Sequence, residues 1–161
     1  MFGWLKSLGQ NAAARWRWFW GLRPAGPATA AGERGRLGEE AAALFLRERG
    51  WKIIIRNWRH GRDELDVVAW DGEVLVFAEV RARAAHAPVQ GYHSVTGRKK
   101  HALARAVRAY LRGLPAPPAH FRFDIVEVKV SDGAAPEVVL HAGVPLLPNH
   151  PPPARESHRR E

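Results

Sequence analysis

Hydrophobic and polar positions alternate through two neighbouring stretches, 63–70 and 73–83, and that period of two predicts a pair of strands. The dipeptide Asp71-Gly72 between them is a two-residue hairpin signal. Upstream, residues 36–49 carry apolar positions from Ala41 to Leu46 at helical spacing, and Gly50 marks a C-terminal stop. Residues 51–59, built around Ile53-Ile54-Ile55, predict a further strand, and His60-Gly61-Arg62 turns the chain into the next one. Downstream, Pro88 and Gly91 interrupt a loop over 84–95. A second helix is expected over 96–112, stopped by Gly113 and Pro115. Strands at 121–130 and 138–142, around the turn Asp132-Gly133, complete the order αβββαββ. That order predicts a mixed α/β domain with helices packed on one sheet.

The hairpin carries the candidate chemistry. With Asp71-Gly72 as the loop, Trp70 pairs with Glu73, Glu64 faces Glu79, and Asp66 faces Phe77. Alternation then projects Glu64, Asp66, Glu79 and Arg81 from one face. Three carboxylates come within reach of one or two cations, since opposite side chains are about 5 Å apart and diagonal ones about 7–8 Å. The other face bears Leu65, Val67, Ala69, Val74, Val76, Ala78 and Val80, which is core material. Like charges facing across strands repel unless neutralised, and a hard cation such as Mg²⁺ neutralises them. The competing reading is a solvated acidic face paired with arginines. Against it, Val68, Leu75 and Phe77 share the acidic face and call for a cover, and acids among buried apolar neighbours need a partner.

Composition narrows the classes. The 161 residues include no cysteine, which excludes disulfides, thiolate metal sites and a cysteine nucleophile. The scattered histidines lack metalloprotease or zinc-finger spacing. No apolar run approaches the roughly 20 residues needed to span a bilayer. Twenty-five Lys and Arg against 16 Asp and Glu give a net charge of +9, which favours polyanionic partners, nucleic acid or an anionic membrane surface. Residues 1–32 hold Lys6, Arg15, Arg17 and Arg23 with no acid, and Trp4, Trp16, Trp18 and Trp20 lie among them. Residues 1–22 are spaced like an interfacial helix, 23–32 read as a linker, and 148–161 form a Pro/His/Arg-rich tail expected to be disordered. The folded domain is therefore expected over 33–147.

In the second helix, Arg98, His101, Arg105, Arg108 and Arg112 follow a 3,4,3,4 spacing along one face, with no acid between Thr96 and Arg112. Such a stripe suits a phosphate backbone, although an ordinary solvated helix face has the same spacing. Leu103, Val107, Tyr110 and Leu114 form the apolar face. Lys99 lies off the stripe and is expected to point toward the acids. Arg122 and Asp124 read as a pair within the sheet, and Trp51, Trp58 and Trp70 as packing.

Gly38-Glu39, Asn57-Trp58-Arg59, Glu64-Leu65-Asp66-Val67-Val68-Ala69, Val76-Phe77-Ala78-Glu79-Val80-Arg81-Ala82-Arg83, Val95-Thr96 with Lys99, and Arg122-Phe123-Asp124-Ile125-Val126 occur in this order. Over about 33–147 the chain thereby resembles the YraN family of bacterial proteins, predicted endonucleases of the restriction-endonuclease-like PD-(D/E)xK superfamily. The resemblance implies a mixed central sheet flanked by helices. It implies Asp66 and Glu79, with the Val80 carbonyl, as ligands of Mg²⁺ or Mn²⁺. It implies Glu64 or Glu39 as an acid acting through water, and Arg81 at the superfamily's lysine position. Arginine keeps its proton, so Arg81 can orient water or stabilise charge but cannot act as a base. Asp63 stands where the family usually has glycine.

The expected activity is hydrolysis of nucleic-acid phosphodiesters, with DNA favoured and branched or structured forms included. Arg98, Lys99, Arg105, Arg108 and Arg112 would bind the nucleic acid, in a bacterial cytoplasm or at the nucleoid or membrane surface. Two alternatives stay open: a catalytically attenuated nucleic-acid-binding module on the same fold, and an adaptor held to an anionic membrane or a protein partner by residues 1–22. Homodimerisation is also left open.

Overall fold

The computed structural model describes residues 29–84, 95–131 and 133–146. The expectations for 1–28, for most of the 84–95 loop and for the tail fall outside these residues. Helix α1 spans Ala30–Glu48, six residues earlier than its periodicity suggests. Thr29 explains the difference: its side chain accepts the Gly32 N–H as an N-cap, extending the helix through glycines that propensity disfavours. Gly50 adopts φ +84° just past the helix, as a C-terminal stop requires.

Strands β1 (Lys52–His60), β2 (Asp63–Asp71) and β3 (Val74–Ala84) form an antiparallel meander. Helix α2 (Gly97–Arg112), N-capped by Thr96, connects β3 to the parallel strand β4 (His120–Val130), and β5 (Glu137–His141) closes the sheet in the order β1-β2-β3-β4-β5. The order αβββαββ is the one expected, with one helix on each face of a mixed sheet.

The β2–β3 register differs from the reading by one loop position. Asp71 pairs with Val74, so Gly72-Glu73 is the loop and Gly72, at φ +58°, takes its first position. Only glycine enters that left-handed region freely, so the loop follows the glycine. Phe77 therefore pairs with Val68 rather than with Asp66, and Glu79 is not opposite Glu64.

Two cores result. On the α2 side, Ile55, Trp58, Leu65, Val68, Phe77, Leu103, Val107, Tyr110, Phe123 and Ile125 pack together, with Tyr110 edge-on to Trp58 and Phe77. On the α1 side lie Ala42, Leu46, Trp51, Val67, Val76, Ala78, Val126 and Val128. Leu65 and Val67 thus sit on opposite sides of the sheet, where simple alternation placed them together. Arg122 and Asp124 pair as expected. The guanidinium Nε lies 3.0 and 3.1 Å from the fully buried Asp124 carboxylate, Nη2 reaches Asp71 at 2.7 Å, and the Gly143 N–H donates to Asp124. Arg122 also lies over the Trp51 ring, so this network fastens the sheet internally.

Candidate functional site

The site forms where β2 and β3 part. Their ladder ends at Val67 and Ala78, and the next residues are Asp66 and Glu79. Asp66 accepts the Val80 N–H on Oδ2 at 2.8 Å, so a side-chain carboxylate takes the place of a strand carbonyl. Glu79 is only 3% exposed. Its Oε1 receives Lys99 Nζ from α2 at 3.1 Å and Arg81 Nη1 at 3.8 Å, while its Oε2 is buried with no hydrogen-bond partner. Burial, then the charge of Glu79, pushes the Asp66 carboxyl from its ordinary 3.8 up to about 7, against the Val80 N–H and Lys99, which pull it down. Burial also raises Glu79, opposed by Lys99 and Arg81.

The remaining residues of the predicted site are less central. Glu39 reaches the site from α1, held by Asn57 Nδ2 at 3.0 Å and approached by Arg56 at 3.8 Å, and its charge adds to the upward push on Asp66. Gly38 permits this approach, because a Cβ there would collide with the Cβ of Ala82 on β3. Glu64 is turned outward into an ion pair with Arg59 at 2.6 Å, although it still contributes to raising Glu79. The four side chains expected on one face are therefore not equivalent: Asp66 and Glu79 are drawn together, Arg81 flanks them, and Glu64 stands aside.

Lys99 points to the acids as expected. Arg98, His101, Arg105, Arg108 and Arg112 form the exposed face of α2, opposite the buried Leu103, Val107 and Tyr110. Arg105 is committed elsewhere. It forks onto Asp63 at 2.8 and 2.9 Å, and that hydrogen bonding holds the Asp63 carboxyl below its ordinary value. Beside the acids, an open groove of about 470 Å³ runs between α1 and β3, lined in part by Arg34, Glu39, Val80, Arg81 and Arg83. Residue patterns did not single out Arg34, and Asn57 entered only within the stretch Asn57-Trp58-Arg59, with no role assigned to it.

The chemistry of the donor set fits a hard divalent cation. A buried carboxylate beside a half-buried one disfavours joint ionisation, and one oxygen of Glu79 lacks a partner. Among the described residues no three His, Asp or Glu side chains group as a metal site. A Mg²⁺-like ion commonly takes one or two carboxylates and fills its other positions with water and phosphate oxygens.

Fold and site together define a mixed α/β protein, helices on both faces of its sheet, with a buried glutamate, a half-buried aspartate and a lysine from α2 where the central hairpin parts. The chain belongs to the UPF0102 family: the profile of this uncharacterised protein family matches residues 38–128. A UPF0102 protein of Nitratidesulfovibrio vulgaris is 45% identical over 92 residues, 57% of this chain and 69% of its own. One from Symbiobacterium thermophilum is 44% identical over 95 residues, 59% and 80% of the two chains. One from Chlorobium phaeobacteroides is 39% identical over 98 residues, 61% and 78% of the two. The matched region spans Glu39, Asp66, Glu79, Arg81 and Lys99, so the acids and the two cations beside them lie inside the family domain.

Proposed function

We propose that this protein hydrolyses phosphodiester bonds of nucleic acid, with DNA favoured, using Mg²⁺ or Mn²⁺ at the Asp66–Glu79 pair. The observation that carries this reading is the carboxylate pair itself, half-buried Asp66 beside buried Glu79, with an unpartnered Glu79 oxygen and the Lys99 ammonium 3.1 Å from the other. Asp66 and Glu79 would hold the ion, with the Val80 carbonyl as the third protein oxygen. A bound divalent ion supplies an attacking water of lowered pKa and neutralises charge. Lys99 and Arg81 then stabilise the negative charge that develops on the phosphoryl oxygens, and Lys99, the nearer to Glu79, is placed to orient the water. Arg34 and Arg81 give the adjoining groove a sign suited to a phosphate backbone, and Arg98, Arg108 and Arg112 extend that surface along α2.

Incubation with single-stranded, duplex and branched DNA, with and without Mn²⁺, tests the reading, using Asp66→Ala as the control. Metal-dependent cleavage that Asp66→Ala abolishes supports it. Tight binding with no cleavage in any metal replaces it with a catalytically attenuated nucleic-acid-binding module. The observation favouring that second reading is the Lys99 ammonium, which already compensates Glu79 without a metal.

A further inference from the structure

Among the described residues only one non-glycine, Asn57, has a positive φ, at +53°. It stands at a telling position. Arg56 pairs with Val67 and Trp58 with Leu65, so Asn57 and Asp66 are the register partners between them, and neither joins the ladder. No residue is inserted there, because the β1–β2 irregularity falls at Ile53/Ile55 instead. The backbone nevertheless changes sides at this point. Ile55 and Trp58, three residues apart, both enter the α2-side core. Leu65 and Val68 do the same, while Val67 enters the α1-side core. Alternation would place residues three apart on opposite faces. A left-handed residue reverses the side-chain direction of the strand without a bulge, and β2 follows its partner. Asp66, at the reversal, is left pointing along the sheet to the Val80 N–H. The Asn57 amide meanwhile donates to Glu39 at 3.0 Å.

We propose that Asn57 is a positioning residue: its left-handed backbone, rather than its side chain, lifts Asp66 out of the ladder and turns its carboxylate onto the Val80 N–H, beside Glu79. The inference deepens the phosphodiesterase reading and rests on it for its catalytic meaning, but the geometry can be tested without activity. Strained backbone held by surrounding contacts is a recurring feature of functional sites, and asparagine is among the few side chains that tolerate it.

Amide hydrogen exchange measured by NMR on the full chain decides the matter. The probe is the Val80 N–H, compared with that of Ile125 in the neighbouring strand. Asn57→Gly keeps the left-handed backbone accessible, so Val80 protection should stay within about twofold of wild type. Asn57→Val resists positive φ. There Val80 should exchange at least about tenfold faster, with Ile125 unchanged. If Asn57→Val fails to fold, Asn57→Ala supplies the same contrast in milder form, since alanine also disfavours positive φ. Unchanged Val80 protection in the valine or alanine variant would overturn the proposal, as would equal loss in the glycine variant. A Mn²⁺ titration of the same proteins separates this from the parent reading. Wild type that binds no Mn²⁺ defeats the phosphodiesterase reading alone and leaves the Val80 contrast standing. Weakened Mn²⁺ binding in Asn57→Val and not in Asn57→Gly supports both.

Discussion

Lys99 and Arg81 approach the same oxygen of Glu79, at 3.1 and 3.8 Å. Distance and chemistry both favour Lys99 as the group that matters more: it is closer, and an ammonium can pass its proton on where a guanidinium cannot. Steady-state cleavage rates should show this. Lys99→Ala is expected to lose on the order of 10²-fold or more, the typical effect of removing one preorganised charge-stabilising donor. Arg81→Ala should lose less, and Arg81→Lys should retain activity. Asp66 carries a second prediction at this scale. Burial and the Glu79 charge raise its folded pKa from 3.8 to about 7, so the folded chain holds the proton more tightly than the unfolded chain. That stabilising contribution is present in acid and is lost as pH rises through about 7. Metal-free wild type should therefore melt several degrees lower at about pH 8 than at about pH 6, roughly 1 kcal/mol or more for a domain of this size. Asp66→Asn, neutral throughout, should flatten that slope and equal or exceed wild type at the higher pH.

At the scale of elements, the contact between α1 and β3 sets the position of Glu39. Gly38 lies directly over Ala82, whereas Gly35, one turn earlier, has open space around it. Gly38→Ala should cost about 1–3 kcal/mol in urea unfolding, the usual penalty for overpacking. Gly35→Ala should be neutral or stabilise by up to about 1 kcal/mol, because alanine is the better helix former. The elements of the described residues were legible in the sequence: their two helices, their five strands and the buried face of α2 follow from apolar spacing and from the glycines that end them. Three things were not. The extra helical turns before residue 36 depend on a threonine cap in a stretch rich in small residues. The β2–β3 register depends on which loop position the glycine occupies, a choice that the dipeptide Asp71-Gly72 leaves open. The reversal at Asn57 depends on a backbone conformation that period-two patterning assumes away. The observed register sets Asp66 directly opposite Glu79, and because Asp66 leaves the ladder its carboxylate turns to the Val80 N–H.

Over the whole molecule, the basic face of α2 and the groove beside the acids present positive charge of the kind that suits a phosphate backbone, on a chain of net charge +9. Arg105 is withheld from that surface by Asp63, a long-range pairing that no local pattern announces. Asp63→Asn should free it. The slope of log affinity against log salt for duplex DNA would then steepen by up to about 0.9, the contribution of one further phosphate contact. Replacing Arg98 and Arg108 by glutamate should flatten the slope. Among the described residues no helix is long and apolar enough to cross a membrane.

Whether the Asp66–Glu79 pair takes a divalent cation is measured directly by calorimetric titration of Mn²⁺ into wild type and Asp66→Ala at about pH 8. The prediction is one ion bound per wild-type chain, with affinity at least about tenfold weaker in the variant, as loss of a ligand requires. Equal binding by both proteins, or none by wild type, would contradict it.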